Sequence, residues 1–363
     1  MKNKILFLVQ LPPPVHGVSV MNQHLISSRI ILDQYQAEIV NIATARSNDA
    51  IGKFSIQKIL SSIGLFFSIL KKLLIARPAL VYVTISPSGF AFYRDAIYIS
   101  LAKLFGKKLV FHFHGKGVQA GMTTNKVYRF ICKKLLTNAY SIHLSQSLVS
   151  DLQGIENKKK FIVSNGIPVI EIKKKPVKKK PVTRLLYLSN YVISKGILDL
   201  IDAIEIVVQH NKNFHLDLVG NPFDISIVKL EEYIKNKGLQ QFITVCGPKY
   251  NAEKNEVLNN ADVFILPSYN EAFPLALLEA MQFGLPCIST YEGGIPDMIE
   301  DGVTGLLVNK RDKDALAQKI QLLLNDKALL SGMGEAAKRV FTEKYTLAVF
   351  EKNMAQVFNE IIE

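Results

Sequence analysis

Short apolar runs rich in β-branched residues recur along this chain, and each is followed by a longer stretch with helical spacing. The spacing predicts strands at 5–9, 37–41, 80–84, 108–112 and 141–144, with helices near 18–31, 56–76, 92–105 and 126–136. A second series predicts strands at 184–188, 215–219, 242–246, 263–266 and 286–289. Parallel strands need long crossovers, so such alternation folds into parallel sheets with helices on both faces. The pattern reads as α/β, with the same doubly wound architecture built twice, and 363 residues suit two domains.

The divide is 173–183, KKKPVKKKPVT. Two prolines and six lysines cannot form a packed element, and like charges keep the segment extended. Domains are expected at 1–172 and 184–346, with 173–183 a Lys/Pro linker. Residues 158–184 hold nine lysines and Arg184 against Glu171, which is most of the net charge of +13. A nucleic-acid footprint would spread further and interleave aromatics, so nucleic acid is not an expected partner. Cys132, Cys246 and Cys287 lack C-x-x-C spacing and offer neither a disulfide framework nor a zinc site, which points to the cytoplasm. The N-terminal MKNKILFLVQLPPP has an apolar core of 5–9 and prolines where a signal peptide carries small residues, so it reads as a first strand. The longest uncharged apolar stretch, 59–70, is too short to span a bilayer.

The most informative stretch is 261–286, ADVFILPSYNEAFPLALLEAMQFGLP. It reads as strand, loop, helix: Pro274 suits a helix start, and Gly284 and Pro286 suit its end. Glu271 precedes the helix and Glu279 lies within it. Eight helical residues span roughly 12 Å, whereas carboxyls sharing one glycosidic bond sit roughly 5–9.5 Å apart. The two glutamates therefore hold different parts of one elongated ligand, and the helix N-terminus between them is a natural phosphate seat. The competing reading of Glu279, set among Leu277, Leu278, Ala280 and Met281, is a structural ion pair with a nearby lysine.

Glu271 and Glu279 form an E-x7-E pair inside EAFPLALLEAMQFGLPCIST, followed by EGGIPDMIEDGVTGLLV at 292–308. With the Phe273-Pro274 turn, the Gly293-Gly294 pair and the Asp301-Gly302…Gly305 turn, this resembles the C-terminal signature of the retaining GT-B glycosyltransferases, family 4. The resemblance runs over most of the chain and is tighter in the C-terminal half. It implies two Rossmann-like domains in the GT-B arrangement, an active site in the interdomain cleft, and a last helix, 347–363, crossing back to the first domain. It also implies retaining transfer of a sugar from a nucleotide-sugar donor to a glycan or lipid-linked acceptor, in surface polysaccharide biosynthesis. No cofactor and no metal is expected. Carried over position by position, Glu279 binds the nucleotide ribose and Glu271 the sugar hydroxyls. Ala272, Phe273, Pro274 and Leu275 present backbone to the diphosphate and sugar, and Lys195 opposes the phosphates. The family's Gly-Arg pair corresponds here to Ser189-Asn190. Without that arginine's bidentate fork, Lys195 is left as the main charge against the leaving diphosphate, with Lys254 or Arg94 as candidates to compensate.

Two further loops carry chemistry. LPPPVHGVSV at 11–20 follows the first strand, where ligands bind in such sheets, and Gly17 lets backbone approach closely. The family's loop has two adjacent glycines; here His16 precedes a single Gly17. FHFHG at 111–115 puts His112 and His114 on one face. Two ligands are too few for zinc. The resemblance assigns His114, before Gly115, to a place beside the transferred sugar, and His112 packs deeper. Gly115-Lys116-Gly117…Gly121 misses the dinucleotide fingerprint by one residue and follows the wrong strand, so NAD is rejected. Basic amphipathic stretches at 56–75 and 126–136 fit an anionic membrane surface, which would make the protein peripheral on the inner face of the plasma membrane. Two alternatives stay open: a nucleotide-sugar epimerase or hydrolase on the same fold, and a non-catalytic membrane-associated binding subunit.

Overall fold

The computed structural model describes residues 2–43, 56–171 and 182–363, with backbone alone at 56–59. The linker expected at 173–183 lies, apart from its last two residues, outside the described residues. The chain divides into two compact units, Met1–Gly166 with Leu347–Glu363, and Ile167–Thr346.

Unit 1 is a parallel sheet of six strands: β1 (Lys4–Val9), β2 (Gln36–Asn41), β3 (Leu80–Thr84), β4 (Lys108–Phe113), β5 (Tyr140–His143) and β6 (Lys159–Ile162), in spatial order β2-β1-β3-β4-β5-β6. Its helices are α1 (Gly17–Ser27), α2 (Arg29–Gln34), α3 (Ile56–Ile75), α4 (Gly89–Leu104), α5 (Val118–Thr124) and α6 (Lys126–Leu136). β1, β3 and β4 are nearly continuous apolar runs because both faces are covered. Leu6, Leu8, Val81, Val83 and Phe111 form a core with Ile69 and Leu73 of α3, Phe92 and Ile99 of α4, and Leu135 of α6. The order reverses between β1 and β3, so ligand crevices are expected at the loops after those strands.

Unit 2 repeats the plan with β7 (Thr183–Leu188), β8 (Phe214–Val219), β9 (Ile243–Gly247), β10 (Val263–Ile265), β11 (Cys287–Thr290) and β12 (Gly305–Val308), in spatial order β12-β11-β10-β7-β8-β9. Its helices are α7 (Ile197–Val207), α8 (Ile227–Asn236), α9 (Asn251–Asn260), α10 (Leu275–Gln282), α11 (Ile295–Met298), α12 (Lys313–Asn325) and α13 (Lys327–Lys344). Here the reversal falls between β7 and β10. The last helix, α14 (Leu347–Ile362), belongs to unit 1. Phe358 packs edge-on against Phe7, Tyr35 and Tyr82, and Lys108 Nζ donates to the Ile361 carbonyl at 2.6 Å.

The sixth strand of each sheet departs from the pattern reading. β6 is KKFI, with Phe161 its one buried side chain, so an edge strand facing water with lysines shows no apolar run. β12 opens on Gly305, which the sequence reading places in a turn, so the buried run that follows does not read as a strand.

Burial imposes a polar bond between β3 and β4 of unit 1. His112 and Tyr82 are fully enclosed on neighbouring strands, and Tyr82 Oη lies 2.6 Å from His112 Nδ1. Burial pushes the Tyr82 hydroxyl well up and the His112 imidazole well down, so both are neutral. Removing either partner leaves the other buried and unpaired. Tyr82→Phe and His112→Phe should each destabilise the protein by about 1–3 kcal/mol in chemical denaturation. The double variant should lose less than the sum, and additive losses would show that the bond contributes nothing.

Candidate donor-binding site

The reversal between β7 and β10 brings together the loops that follow them, 189–196 and 266–274. Tyr269 N and Ser268 Oγ both donate to the Ser194 carbonyl at 3.0 Å. The contact is close enough to exclude a side chain. A Cβ at Gly196 would stand 2.1 Å from the Pro267 carbonyl oxygen, and Gly196 has φ +74°. Across this seam the Lys195 ammonium pairs with the Glu271 carboxylate, both largely screened from solvent.

The loop after β11 closes the other side. Gly294 N donates to the Ala272 carbonyl at 2.7 Å. Gly293, at φ +54°, would place a Cβ 2.2 Å from the Glu271 carbonyl oxygen. The buried Glu292 carboxylate accepts from Glu271 N at 3.3 Å and meets Lys310 Nζ at 2.8 Å. Glu271 is thus fixed at its backbone by 292–294 and at its side chain by Lys195. Phe273 is buried with its ring edge-on to Tyr345, centroids 5.9 Å apart. Pro274 sets the start of α10, whose first turn carries no side-chain cap. Its N–H groups and the positive end of its dipole therefore suit an anion.

Glu279, one turn before the end of α10, meets Lys254 of α9 at 2.5 Å. The structural ion pair set out as the competing reading is present. An ion pair engages one carboxylate oxygen, so it is compatible with a second oxygen meeting a ligand. Lys254 is thereby engaged, and Arg94, the other candidate to replace the missing arginine, lies buried in unit 1 at 2.6 Å from Asp95. Asn190 is exposed, with its side-chain oxygen 3.5 Å from Asn221 Nδ2, and Asn221 in turn donates to Tyr250 Oη at 2.7 Å. Arg311, after β12, lies with its guanidinium 4.7 Å from the Tyr269 ring centre.

The remaining predicted residues sit at the C-terminal edge of unit 1's sheet. Gly17 opens α1, and His16 caps it: Ser19 N donates to His16 Nδ1 at 3.3 Å, and His16 N donates to Ser19 Oγ at 3.0 Å. That acceptor role requires an unprotonated Nδ1, and burial holds His16 below its ordinary value. The His114 ring lies tilted against that of His112, with ring centres 4.0 Å apart. Part of His114 reaches solvent, but its Nε2 is enclosed with no hydrogen-bond partner. Burial, reinforced by His16, holds its imidazole down to about 3. In the loop that mimics a dinucleotide fingerprint, Asp151 already fills the anion seat. Its carboxylate accepts from Gly117, Val118 and Gln119 N at 2.9–3.1 Å.

Sequence reasoning missed Glu292, Lys310 and Asp151. Glu292 stands inside a recognised motif, so its position was visible and its role was not. Lys310 and Asp151 act on backbone or charge that only the fold brings near. Among the described residues no group of three or more His, Cys, Asp or Glu side chains is placed to hold a metal ion.

Residues 169–340 match the family model of glycosyl transferases group 1. Among curated proteins, the chain is similar to CapM of Staphylococcus aureus, a capsular polysaccharide biosynthesis glycosyltransferase, with 27% identity over 177 residues, 49% of this chain and 46% of that protein. It is 35% identical over 162 residues to the N-acetyl-alpha-D-glucosaminyl L-malate synthase of Bacillus anthracis, 44% of this chain and 41% of that one. The chain thus spans less than half the length of these relatives. Two solved structures share its fold. HepE of Anabaena in complex with UDP gives a TM-score of 0.76 at 17% identity, covering 99% of this chain and 100% of that one. A glycosyltransferase of Rickettsia africae gives 0.76 at 20%, covering 100% and 99%.

Two outcomes follow from this geometry. Gly196→Ala and Gly293→Ala each force a left-handed residue and a backbone clash, so each should lower stability by at least about 1–3 kcal/mol. Gly332→Ala, in open space on α13, should be neutral or stabilising. Equal melting temperatures for all three would refute the close seam. His112, His114 and His143 are all held below the ordinary value by burial, the last down to about 4. They are neutral when folded and take up protons on unfolding. Their contribution is therefore full above about pH 6.5 and falls as pH drops toward 4, by up to about 1.4 kcal/mol per pH unit for each histidine. Denaturation midpoints across pH 4–8 check this, and a flat profile below pH 6.5 would contradict it.

Proposed function

We propose, from a chain whose residues 169–340 belong to the family of glycosyl transferases group 1, that this protein moves a sugar from a nucleotide-sugar donor to a glycan or lipid-linked acceptor with retention. The observation that carries the reading lies wholly in unit 2. At its strand-order reversal, an uncapped helix N-terminus stands between two carboxylates, each held by its own lysine.

In this reading the diphosphate sits at the start of α10, with Lys195 beside it. Charge develops on that group as the glycosidic bond breaks, and donors fixed in advance stabilise it without reorganisation. Positive side chains and helix dipole supply that stabilisation without a cation. Lys195 is shared with Glu271 before donor binds, which keeps its charge placed and prevents it from swinging into solvent. Glu279 takes the ribose and Glu271 the sugar hydroxyls, while Ala272–Leu275 present backbone between them. Gly17 and His114 of unit 1 are assigned to the transfer step. HepE of Anabaena binds UDP, and CapM takes part in capsular polysaccharide biosynthesis. We therefore take a UDP-sugar as the first donor to test and surface polysaccharide assembly as the setting. A cytoplasmic location, peripheral on an anionic membrane, suits a lipid-linked acceptor; no helix among the described residues is long and apolar enough to cross a membrane.

Titration calorimetry and turnover test the assignments together. Glu279→Ala should weaken binding of both free UDP and UDP-sugar by about 1.5–3 kcal/mol. Glu271→Gln should leave free UDP almost unchanged and lower turnover. Unchanged UDP affinity in a folded Glu279→Ala would sink the ribose role. Conversion of donor to a new sugar without acceptor would favour an epimerase. Failure to bind any nucleotide would favour a binding subunit.

A further inference from the structure

Unit 1 exposes more large apolar side chains on α3, α4 and α6 than folding requires. Ile63, Phe67, Leu74, Ile97, Leu104 and Phe130 are all more than half exposed, Leu104 at 83%. On α3 they form an outward stripe, while Ile69 and Leu73 face the core. Soluble proteins rarely expose a patch this continuous unless it meets a partner.

The patch is concave. Ile63, Phe66, Phe67, Tyr93 and Ile97 line a groove of about 450 Å³ between α3 and α4. A second groove of about 490 Å³ shares Phe66, Tyr93 and Ile97 and continues past Leu104 and Phe130 to Lys134. Two polar side chains along the first are engaged within the protein. Tyr98 Oη donates to the Ser62 carbonyl at 3.0 Å, and Arg94 is bound to Asp95. The walls offered to a ligand are hydrocarbon. α4 runs about 21 Å from Phe90 to Leu104 at 1.5 Å per residue. That is enough for one lipid tail, which spans half of a core roughly 30 Å thick.

Charge identifies the occupant. α3, α4 and α6 together carry one carboxylate, Asp95, and it is buried. Lys71, Lys133 and Lys134 lie toward the C-terminal ends of α3 and α6, while Lys72 is paired with Glu38 at 2.6 Å and Lys103 donates to the Lys134 and Thr137 carbonyls. Each of those helices leads into the next strand, so this basic end lies at the edge of the sheet opposite His114. A lipid-linked acceptor must present its head at the His114 edge. An anionic phospholipid with its head at the lysines and its tail along the groove meets no such demand.

We propose that the continuous groove on α3, α4 and α6 takes the hydrocarbon chain of an anionic membrane phospholipid, whose head meets Lys133 and Lys134. This rests on the peripheral membrane reading above and adds to it a bound chain, which anchors unit 1 apart from the acceptor site.

The chain has no tryptophan, so Tyr93→Trp places a sole reporter on the wall shared by both grooves, and Ile97→Trp provides a second position. Vesicles of phosphatidylglycerol with brominated tails should quench either reporter, and brominated phosphatidylcholine should not. A tryptophan at the exposed Val228 of unit 2 should stay unquenched. Lys133→Gln and Lys134→Gln should weaken vesicle partitioning about fivefold per lysine. Ile97→Glu should abolish the quenching of Tyr93→Trp. Sedimentation with anionic vesicles without quenching at either position would overturn the groove while leaving the membrane reading intact. No sedimentation with any vesicle would overturn both. Equal quenching by neutral and anionic lipid, or quenching by a polyprenyl-phosphate chain in preference to phosphatidylglycerol, would assign the groove to another occupant and overturn the proposal. UDP titration of the same variants reports separately on unit 2.

Discussion

Backbone lies against backbone at the C-terminal edge of unit 2's sheet, with no room for one methyl group. The loops after β7, β10 and β11 touch through Gly196 and Gly293, where a Cβ would fall 2.1–2.2 Å from a carbonyl oxygen. This seam determines where every charge of the candidate site stands. Lys195 reaches Glu271 because the Gly196 turn is pressed onto Pro267. Glu271 keeps its direction because Gly293 and Gly294 hold its backbone. A looser loop would let the ion pair find other geometries, and ordering the pair would then cost side-chain entropy that the seam has already met on folding.

The charges themselves are balanced. Lys195 with Glu271, Lys254 with Glu279 and Lys310 with Glu292 form three lysine–carboxylate pairs around one short loop and helix. Partly buried charges are costly alone and tolerable in pairs. In the proposed reading, an incoming diphosphate would meet cations already positioned, shared with carboxylates. At the position of the motif's arginine, Asn190 instead contacts Asn221, which donates to Tyr250. Unit 1 works by a different principle. At its sheet edge, His112 and His114 are held uncharged by burial, and the anion seat of α5 is closed by Asp151.

Much was legible along the chain. Short apolar runs and the helical stretches between them follow from local sterics and solvent exclusion. They therefore located ten of the strands and the two-sheet plan before any contact was known. Two strands were missed, β6 and β12: one faces water with lysines, and one opens on a glycine read as part of a turn. Glu271, Glu279, Pro274 and the glycine pair were visible because turn and cap chemistry is set by neighbours in sequence.

What the tertiary structure decided was partnership. Lys195 lies 76 residues from Glu271, and Lys254 lies 25 from Glu279. Which lysine meets which glutamate depends on strand order, and the order β12-β11-β10-β7-β8-β9 is not written in any window of sequence. The same holds for Asp151 under Gly117, for Tyr82 against His112, and for the apolar face that α3, α4 and α6 leave uncovered. Sequence alone determined the elements and the residue types at their ends, because these obey short-range rules. Pairing, burial and free surface were settled only when the sheets closed, because those depend on which distant segments the crossovers bring side by side.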